Sequence, residues 1–417
     1  MLPIFAKDKP LMRIAIISKA AHLGGGGSKV ATTLATLLRR DGHFCHHFRR
    51  DKEYGYSEDE SCVYGPRENL AKYWNHRLRA IGFQEFIPWE YAYLKSELRR
   101  MEIDIVHIHD TTTAISPITI AKLARHFPIV WTMHDFSPFT GGCINPLLCD
   151  RFKQECGQCP QKGRWPLQGK FDLTSFYLKM KKRIHKKTII FVAPSQFLSK
   201  KAISAGIVEQ KIIIVNNSVD TQTFYPLDKA DSRVNLGLAA DKFTVLLLSF
   251  QISDPFKGID DSIKILEGMP KDIQVIVVGR ITNSEKLLFS GLDCTFTGYI
   301  EDMDKLNHCY NAADIFLNCS KADNFPLVVL ESLAAGTPVY GYQTGGIPEM
   351  IETQMNGCLV PVGEWQNLQA KIIDRLNKPI KGEVESCREL AIERFSEKRF
   401  LANSLTVYQK AIKLWHN

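Results

Sequence analysis

"KADNFPLVVLESLAAG", residues 321–336, sets two carboxylates, Asp323 and Glu331, on either side of an almost wholly apolar run. Proline is tolerated best in a first helical turn, because its ring fixes φ and its nitrogen carries no proton. Pro326 therefore predicts a helix opening near Phe325 or Pro326, with Asp323 in the loop before it and Glu331 one to two turns inside. Asn324, Phe325, Pro326 and Leu327 then form the helix N-terminus, where free amides and the helix dipole favour an anion. A carboxylate beside "PLVVL" is costly to bury alone; a pair of ligand hydroxyls satisfies it, and so does a Lys or Arg of the fold. Amides for phosphate, Glu331 for ribose hydroxyls and Asp323 for sugar hydroxyls together suit a nucleotide sugar.

The helix follows an apolar run at 314–320, and such runs recur along the chain. In the first half they are "RIAIIS" (13–18), "IDIVHIH" (103–109), "PIVWTMH" (128–134), "TIIFVAPS" (188–195) and "KIIIVNNS" (211–218), with helical patterns between them. Continuous β-rich runs, rather than strict alternation, mark strands covered on both faces of a parallel sheet. After "NNSVDTQTFYPLDKADSR", read as a linker, the pattern restarts with runs at 243–249, 273–279, 294–298, 314–320 and 338–342. The expectation is an α/β chain of two doubly wound, Rossmann-like domains, 1–222 and 223–395, facing a central cleft. The final helical pattern, 396–417, is expected to pack back on the first domain.

The 417 residues, 45% hydrophobic and 24% charged, fit a globular protein rather than a disordered one. No run reaches the roughly 20 apolar residues that span a bilayer. The N-terminus is broken by Lys7, Asp8, Lys9, Pro10 and Arg13, so no export signal is read. Eleven cysteines without such a signal predict a reducing, cytoplasmic setting. The net charge of +8 is concentrated in "KMKKRIHKK" (179–187). That run reads as a solvated helix face or as a contact with an anionic inner leaflet. No nucleic-acid motif accompanies it, so no nucleic-acid partner is expected.

Other segments carry chemistry at strand ends. "GGGGSK" (24–29), with Gly26 and Gly27, follows the first strand and opens a helix, letting amides approach an anion closely. His134 ends the strand at 128–133, beside Asp135. Lys257 and Gly258 open a helix after the strand at 243–249, where a cation can neutralise a departing diphosphate. Arg280 ends the strand at 273–279. No D-x-D pair is placed at a strand end in a way that suggests a diphosphate-bound metal.

"DNFPLVVLESLAAGTPV", followed by "GGIPEMI", resembles the acid-x7-acid signature of retaining GT-B glycosyltransferases of the family-4 type, and the other segments match in order over nearly the whole chain. Asp323 stands where that family usually has Glu, and Ile252 and Gln251 occupy the region of its usual Arg before Lys257. The resemblance implies a hexosyl-type glycosyltransferase, acting with retention and without a catalytic cofactor. It would move sugar from a nucleotide diphosphate donor to a saccharide or lipid-linked saccharide acceptor. His134, Lys257 and Asp323 take catalytic roles; Gly26, Gly27, Arg280, Asn324, Phe325, Pro326, Leu327 and Glu331 bind donor. "CINPLLCDRFKQECGQCP" places Cys143, Cys149, Cys156 and Cys159 within 17 residues, a pattern similar to the O-antigen and colanic-acid-like branch, which makes surface polysaccharide. The four thiols are read as a structural zinc site, as reduced thiols or as a redox pair. A nucleotide-sugar epimerase and a non-catalytic nucleotide-sugar-binding assembly partner remain as alternatives.

Overall fold

The computed structural model describes residues 11–21, 24–51, 55–352, 355–378 and 380–416. Lys7, Asp8, Lys9 and Pro10, on which the reading of the N-terminus turned, lie outside the described residues. The chain divides into two compact units, one running to Val215 and taking in Leu401 onward, the other Asn216–Phe400.

The first unit holds β1 (Arg13–Ser18), β2 (Phe44–Arg49), β3 (Glu60–Cys62), β4 (Ile105–Ile108), β5 (Ile129–Thr132), β6 (Ile189–Ala193) and β7 (Ile212–Ile214) in one parallel sheet, order β3-β2-β1-β4-β5-β6-β7. The second holds β8 (Phe243–Gln251), β9 (Ile273–Arg280), β10 (Cys294–Gly298), β11 (Ile315–Asn318), β12 (Val339–Tyr342) and β13 (Gly357–Val360), order β10-β9-β8-β11-β12-β13, again parallel. β1, β4, β5 and β6 are almost entirely buried runs of mostly β-branched residues, because helices cover both faces. In each unit the strand order reverses at one place, β1/β4 and β8/β11. The loops leaving those two strands part to opposite faces there, which opens a crevice at the carboxyl edge.

The second unit's core lies on both faces of its sheet. Leu246, Ile276, Phe316 and Val339 point to one side with Tyr310 and Leu333, while Val245, Val275, Ile315 and Tyr340 point to the other. Successive strand side chains alternate faces, so a single strand feeds both layers. The helix Leu327–Ala334 is buried from Val329 to Ala334, as its mostly apolar sequence favours. It opens one residue after Pro326, which is its N-cap.

Three strands escaped the sequence reading: β2, β3 and β13. In β2, "FCHHFR" carries two histidines yet is buried from Cys45 onward. Each meets a hydroxyl of a neighbouring strand, His46 Nε2 with Ser61 Oγ at 2.9 Å and His47 Nε2 with Ser18 Oγ at 2.8 Å. The expected linker is part of the second unit. Val219 pairs with Ser396, the Asp220 carboxylate accepts from the amides of Gln222 and Thr223, and a helix runs over Lys229–Asn235. At the other end, the helix Glu397–His416 places Tyr408 in the first unit's interior, where its hydroxyl lies 2.8 Å from His107 Nδ1.

The basic run 179–187 is neither wholly solvated nor wholly free for a surface. In the helix Thr174–His185, the buried Lys181 Nζ donates to the carbonyls of Ser137 and Thr140, and buried His185 Nε2 lies 3.0 Å from the Pro138 carbonyl. Lys182 donates to the Gln154 carbonyl and Lys179 pairs with Glu155. Helical spacing puts 181 and 185 on one inward face, where they hold the 137–154 loop. Among the described residues, no helix is long and apolar enough to cross a membrane.

Candidate active site

Lys257 leaves the crevice edge after β8, and Asp323 leaves it after β11. These are the two strands on either side of the order reversal, so the fold brings together residues 66 positions apart in sequence. Lys257 Nζ lies 2.8 and 3.0 Å from the two Asp323 carboxylate oxygens, with both side chains partly exposed. The sequence reading assigned them separate ligand contacts; in the structure each is the other's counter-ion. Gly258, at φ 65°, packs where a Cβ would lie 2.0 Å from the Cys319 carbonyl oxygen, so only glycine lets the loop after β8 pass that close to β11. Gly345, at φ 55°, does the same over the Asp323 carbonyl and pins the loop that carries the acid.

Glu331 is 4% exposed, and its Oε2 accepts from the Tyr310 hydroxyl at 2.9 Å. This contact on Oε2 comes from a tyrosine. Tyr310 reaches it from the helix Met303–Ala312, and burial drives its own phenol well above the usual range. Phe325, expected at the donor, is a core residue. It is 5% exposed and edge-on to Phe395, and its carbonyl accepts from Asn217 Nδ2 at 3.0 Å. An apolar ring directly before the helix is drawn inward by the same burial that holds Val329 and Leu333. Pro326 and Leu327 are half-buried at the helix start, and Leu327 packs on the same core. Asn324 is half-buried beside Asp323. The Arg280 guanidinium lies over Phe250 at 4.5 Å and Tyr299 at 5.4 Å. Those rings and the cation form an exposed aromatic shelf at the ends of β8 and β9.

In the first unit the helix Gly26–Arg40 starts within the glycine run, and a Cβ on Gly27 would fall 2.9 Å from the His134 ring. Gly27 and His134, predicted separately, are neighbours, whereas a Cβ on Gly26 would meet open space. His134 Nε2 is 2.9 Å from His109 Nδ1, and the rings stack at 5.2 Å. His109 in turn packs on His107 at 4.1 Å. Burial lowers all three histidines, His134 to about 4 and His107 to about 3, so the cluster is uncharged near neutral pH.

Asp110 and Asp135 follow His109 and His134. Burial, reinforced by the Asp135 charge and opposed by Lys19, raises Asp110 to about 7. Burial also raises Asp135, against hydrogen bonds from Ser137. A carboxyl poised near neutrality can take or return a hydroxyl proton. The sequence reading missed His109 and Asp110, although β4 and β5 both run into the same His-Asp dipeptide, at 109–110 and 134–135.

Residues 24–223 match the family described as glycosyltransferase family 4, and residues 231–394 match glycosyl transferases group 1. The chain is of the family 4 and group 1 glycosyltransferase type. Its two parallel, Rossmann-like units are those of the GT-B fold. Among relatives of this glycosyltransferase-type chain, the sulfoquinovosyl transferase SQD2 of Arabidopsis thaliana is 24% identical over 63% of this chain and 47% of its own. The putative colanic acid biosynthesis glycosyl transferase WcaC of Escherichia coli is 23% identical over 55% of this chain and 56% of its own. The chain thus spans about half the length of the curated relatives it matches. The solved structure of HepE of Anabaena in complex with UDP superposes with a TM-score of 0.66 and 18% identity, covering 96% of this chain and all of that one.

Cys143, Cys149, Cys156 and Cys159 are unbridged, and among the described residues no group of three or more His, Cys, Asp or Glu side chains is placed to hold a metal. Burial pushes the Cys143 thiol up to about 12 and raises Cys156 and Cys159. Cys156 packs against the first-unit core. The buried Cys143 acts as a small apolar side chain.

Proposed function

We propose that the chain transfers a sugar from a nucleotide diphosphate donor to a saccharide acceptor, lipid-linked and destined for surface polysaccharide, with retention of configuration. The bond from the anomeric carbon to the diphosphate oxygen breaks, a bond to the acceptor oxygen forms on the same face, and the acceptor proton ends on the leaving diphosphate. The observation that carries this reading is the Lys257–Asp323 pair at the strand-order reversal of the group 1 segment. Lys257 would neutralise charge developing on the diphosphate, while Asp323, released from Lys257, would accept from sugar hydroxyls. The buried Glu331–Tyr310 bond holds the helix behind Asp323, and the exposed shelf of Arg280, Phe250 and Tyr299 offers a face for a nucleotide base. HepE with UDP and the colanic acid relative support the donor and polymer class.

The test is thermal melting of the full chain with UDP, GDP, CMP and dTDP sugars, since a ligand that binds only the native state raises its Tm. Stabilisation by one nucleotide class, weakened in Asp323→Asn and Lys257→Met, is the expected result; no response to any of them would sink the reading. Product NMR then reports the anomeric configuration, and activity that survives EDTA is expected of transfer without a catalytic metal. A changed nucleotide sugar released without acceptor would move the epimerase reading forward. Arg183 and Lys186 remain exposed on the basic helix and would contact an anionic membrane. Unchanged binding of Arg183→Ser/Lys186→Ser to phosphatidylglycerol vesicles would remove that role.

A further inference from the structure

Two histidines just past the ends of neighbouring strands share one hydrogen bond. His109 Nδ1 and His134 Nε2 lie 2.9 Å apart, with ring planes 25° from parallel. Burial keeps both uncharged near neutral pH, so each imidazole carries one proton on one of its two nitrogens. One nitrogen of the pair must donate and the other accept. Which one donates decides what His134 can offer a ligand.

The surroundings of His109 select the direction. This residue is 1% exposed, and its second nitrogen, Nε2, is buried without a hydrogen-bond partner among the described residues. A proton on Nε2 would be an unpartnered buried donor, the rarer and costlier defect. With the proton on Nδ1, the orphan is only a lone pair, and the shared bond runs from His109 to His134. His107 cannot relieve Nε2, because the Tyr408 hydroxyl takes its Nδ1 at 2.8 Å and Thr132 Oγ1 takes its Nε2 at 2.7 Å. It offers His109 a ring contact, with centroids 4.1 Å apart. Against His134, a Cβ on Gly27 would fall 2.9 Å from the ring, so the start of the helix Gly26–Arg40 lies close against it. His134 itself is half-buried.

We infer that His109 is a positioning residue that donates from Nδ1 to His134 Nε2 and so holds His134 as the tautomer with its proton on Nδ1. The bond made by one ring nitrogen fixes the proton on the other. The lone pair of His134 is thereby spent on His109, so His134 is no general base. What it can give a sugar oxygen is a hydrogen bond from Nδ1. The part this plays in sugar transfer rests on the transferase reading above, whereas the tautomer does not.

The test labels the 12 histidines of the full chain with 15N. Long-range proton–nitrogen correlation spectra separate protonated from bare ring nitrogens, and the two residues are assigned by their loss in His109→Asn and His134→Gln. At neutral pH both are expected to carry the proton on Nδ1; a His134 protonated on Nε2 overturns the inference. In His109→Asn the amide keeps a donor near the Nδ1 position, so His134 should keep its tautomer and the chain its parent rate. His109→Phe keeps a ring and removes the donor, and His134 should then lose its fixed tautomer. Release of nucleoside diphosphate from the UDP, GDP or dTDP sugar that stabilises the chain should slow about tenfold in His109→Phe, the scale of one lost hydrogen bond, with that sugar's Kd unchanged. An unaltered tautomer or rate in folded His109→Phe also overturns the inference, and if that variant does not fold the parent spectrum decides. The expected tautomers in a chain that answers to no nucleotide sugar would reject the transferase reading alone; normal turnover with His134 protonated on Nε2 would reject this inference alone.

Discussion

Lys257 and Asp323 neutralise each other, so each variant leaves a charge behind. Lys257→Met is expected to lower kcat about 100-fold, the scale of losing one preorganised charge contact, with a smaller change in donor Kd; steady-state rates and calorimetry measure the two separately. Glu331→Ala strands the Tyr310 hydroxyl in the core and should cost about 1–3 kcal/mol in urea unfolding. Glu331→Gln keeps an acceptor there and should cost less. Asp110 gives a pH signature. Its folded-state value of about 7 lies above the ordinary 3.8, so the stability it contributes is complete below pH 3.8 and is lost as pH rises through 7. Asp110→Asn should flatten that fall and be more stable than the parent at pH 8, which melting curves across pH would show. At this scale the sequence carried the acids and the lysine but not their pairing. Nothing in "DNFPLVVLE" announces that Tyr310 will close on Glu331.

The helix Thr174–His185 divides its charges between two faces. Its inward face ties down the 137–154 loop through Lys181 and His185, and its outward face keeps Arg183 exposed. His185→Ala leaves the Pro138 carbonyl without that donor and should destabilise the chain by about 1–3 kcal/mol. Arg183→Ser should stay within about 0.5 kcal/mol of the parent. Urea titration of the pair compares them, and equal losses would contradict this division. Charge density in "KMKKRIHKK" was legible, but which charges turn inward depends on where the loop carbonyls lie. Strands were legible wherever β-branched runs were long. They were lost in β2, where histidines replaced aliphatics, and in β13, a short segment, "GCLV".

The chain leaves its first unit at Val215 and returns to it at Leu401. The returning helix supplies Tyr408, fully buried, whose hydroxyl is the partner of His107 Nδ1; His107 Nε2 lies 2.7 Å from Thr132 Oγ1. Tyr408→Phe should therefore cost about 1–3 kcal/mol while leaving the phenyl packing intact. It should protect fewer β4 amides in hydrogen exchange, with β11 amides unchanged. Equal loss in both strands would argue against a first-unit role for this helix.

Hydrophobic periodicity and proline placement are local properties, and they sufficed for two parallel α/β units, for the helix after Pro326 and for a closing helix. Which side chains become neighbours is not local. Lys257 meets Asp323 because β8 and β11 pair across the strand-order reversal, and His134 meets His109 because β4 and β5 end side by side. Tertiary packing alone also decided burial, which drew Phe325 into the core and raised Asp110 toward neutrality. The energy of a charge or a thiol depends on the dielectric and partners around it, and those come from segments far away in sequence.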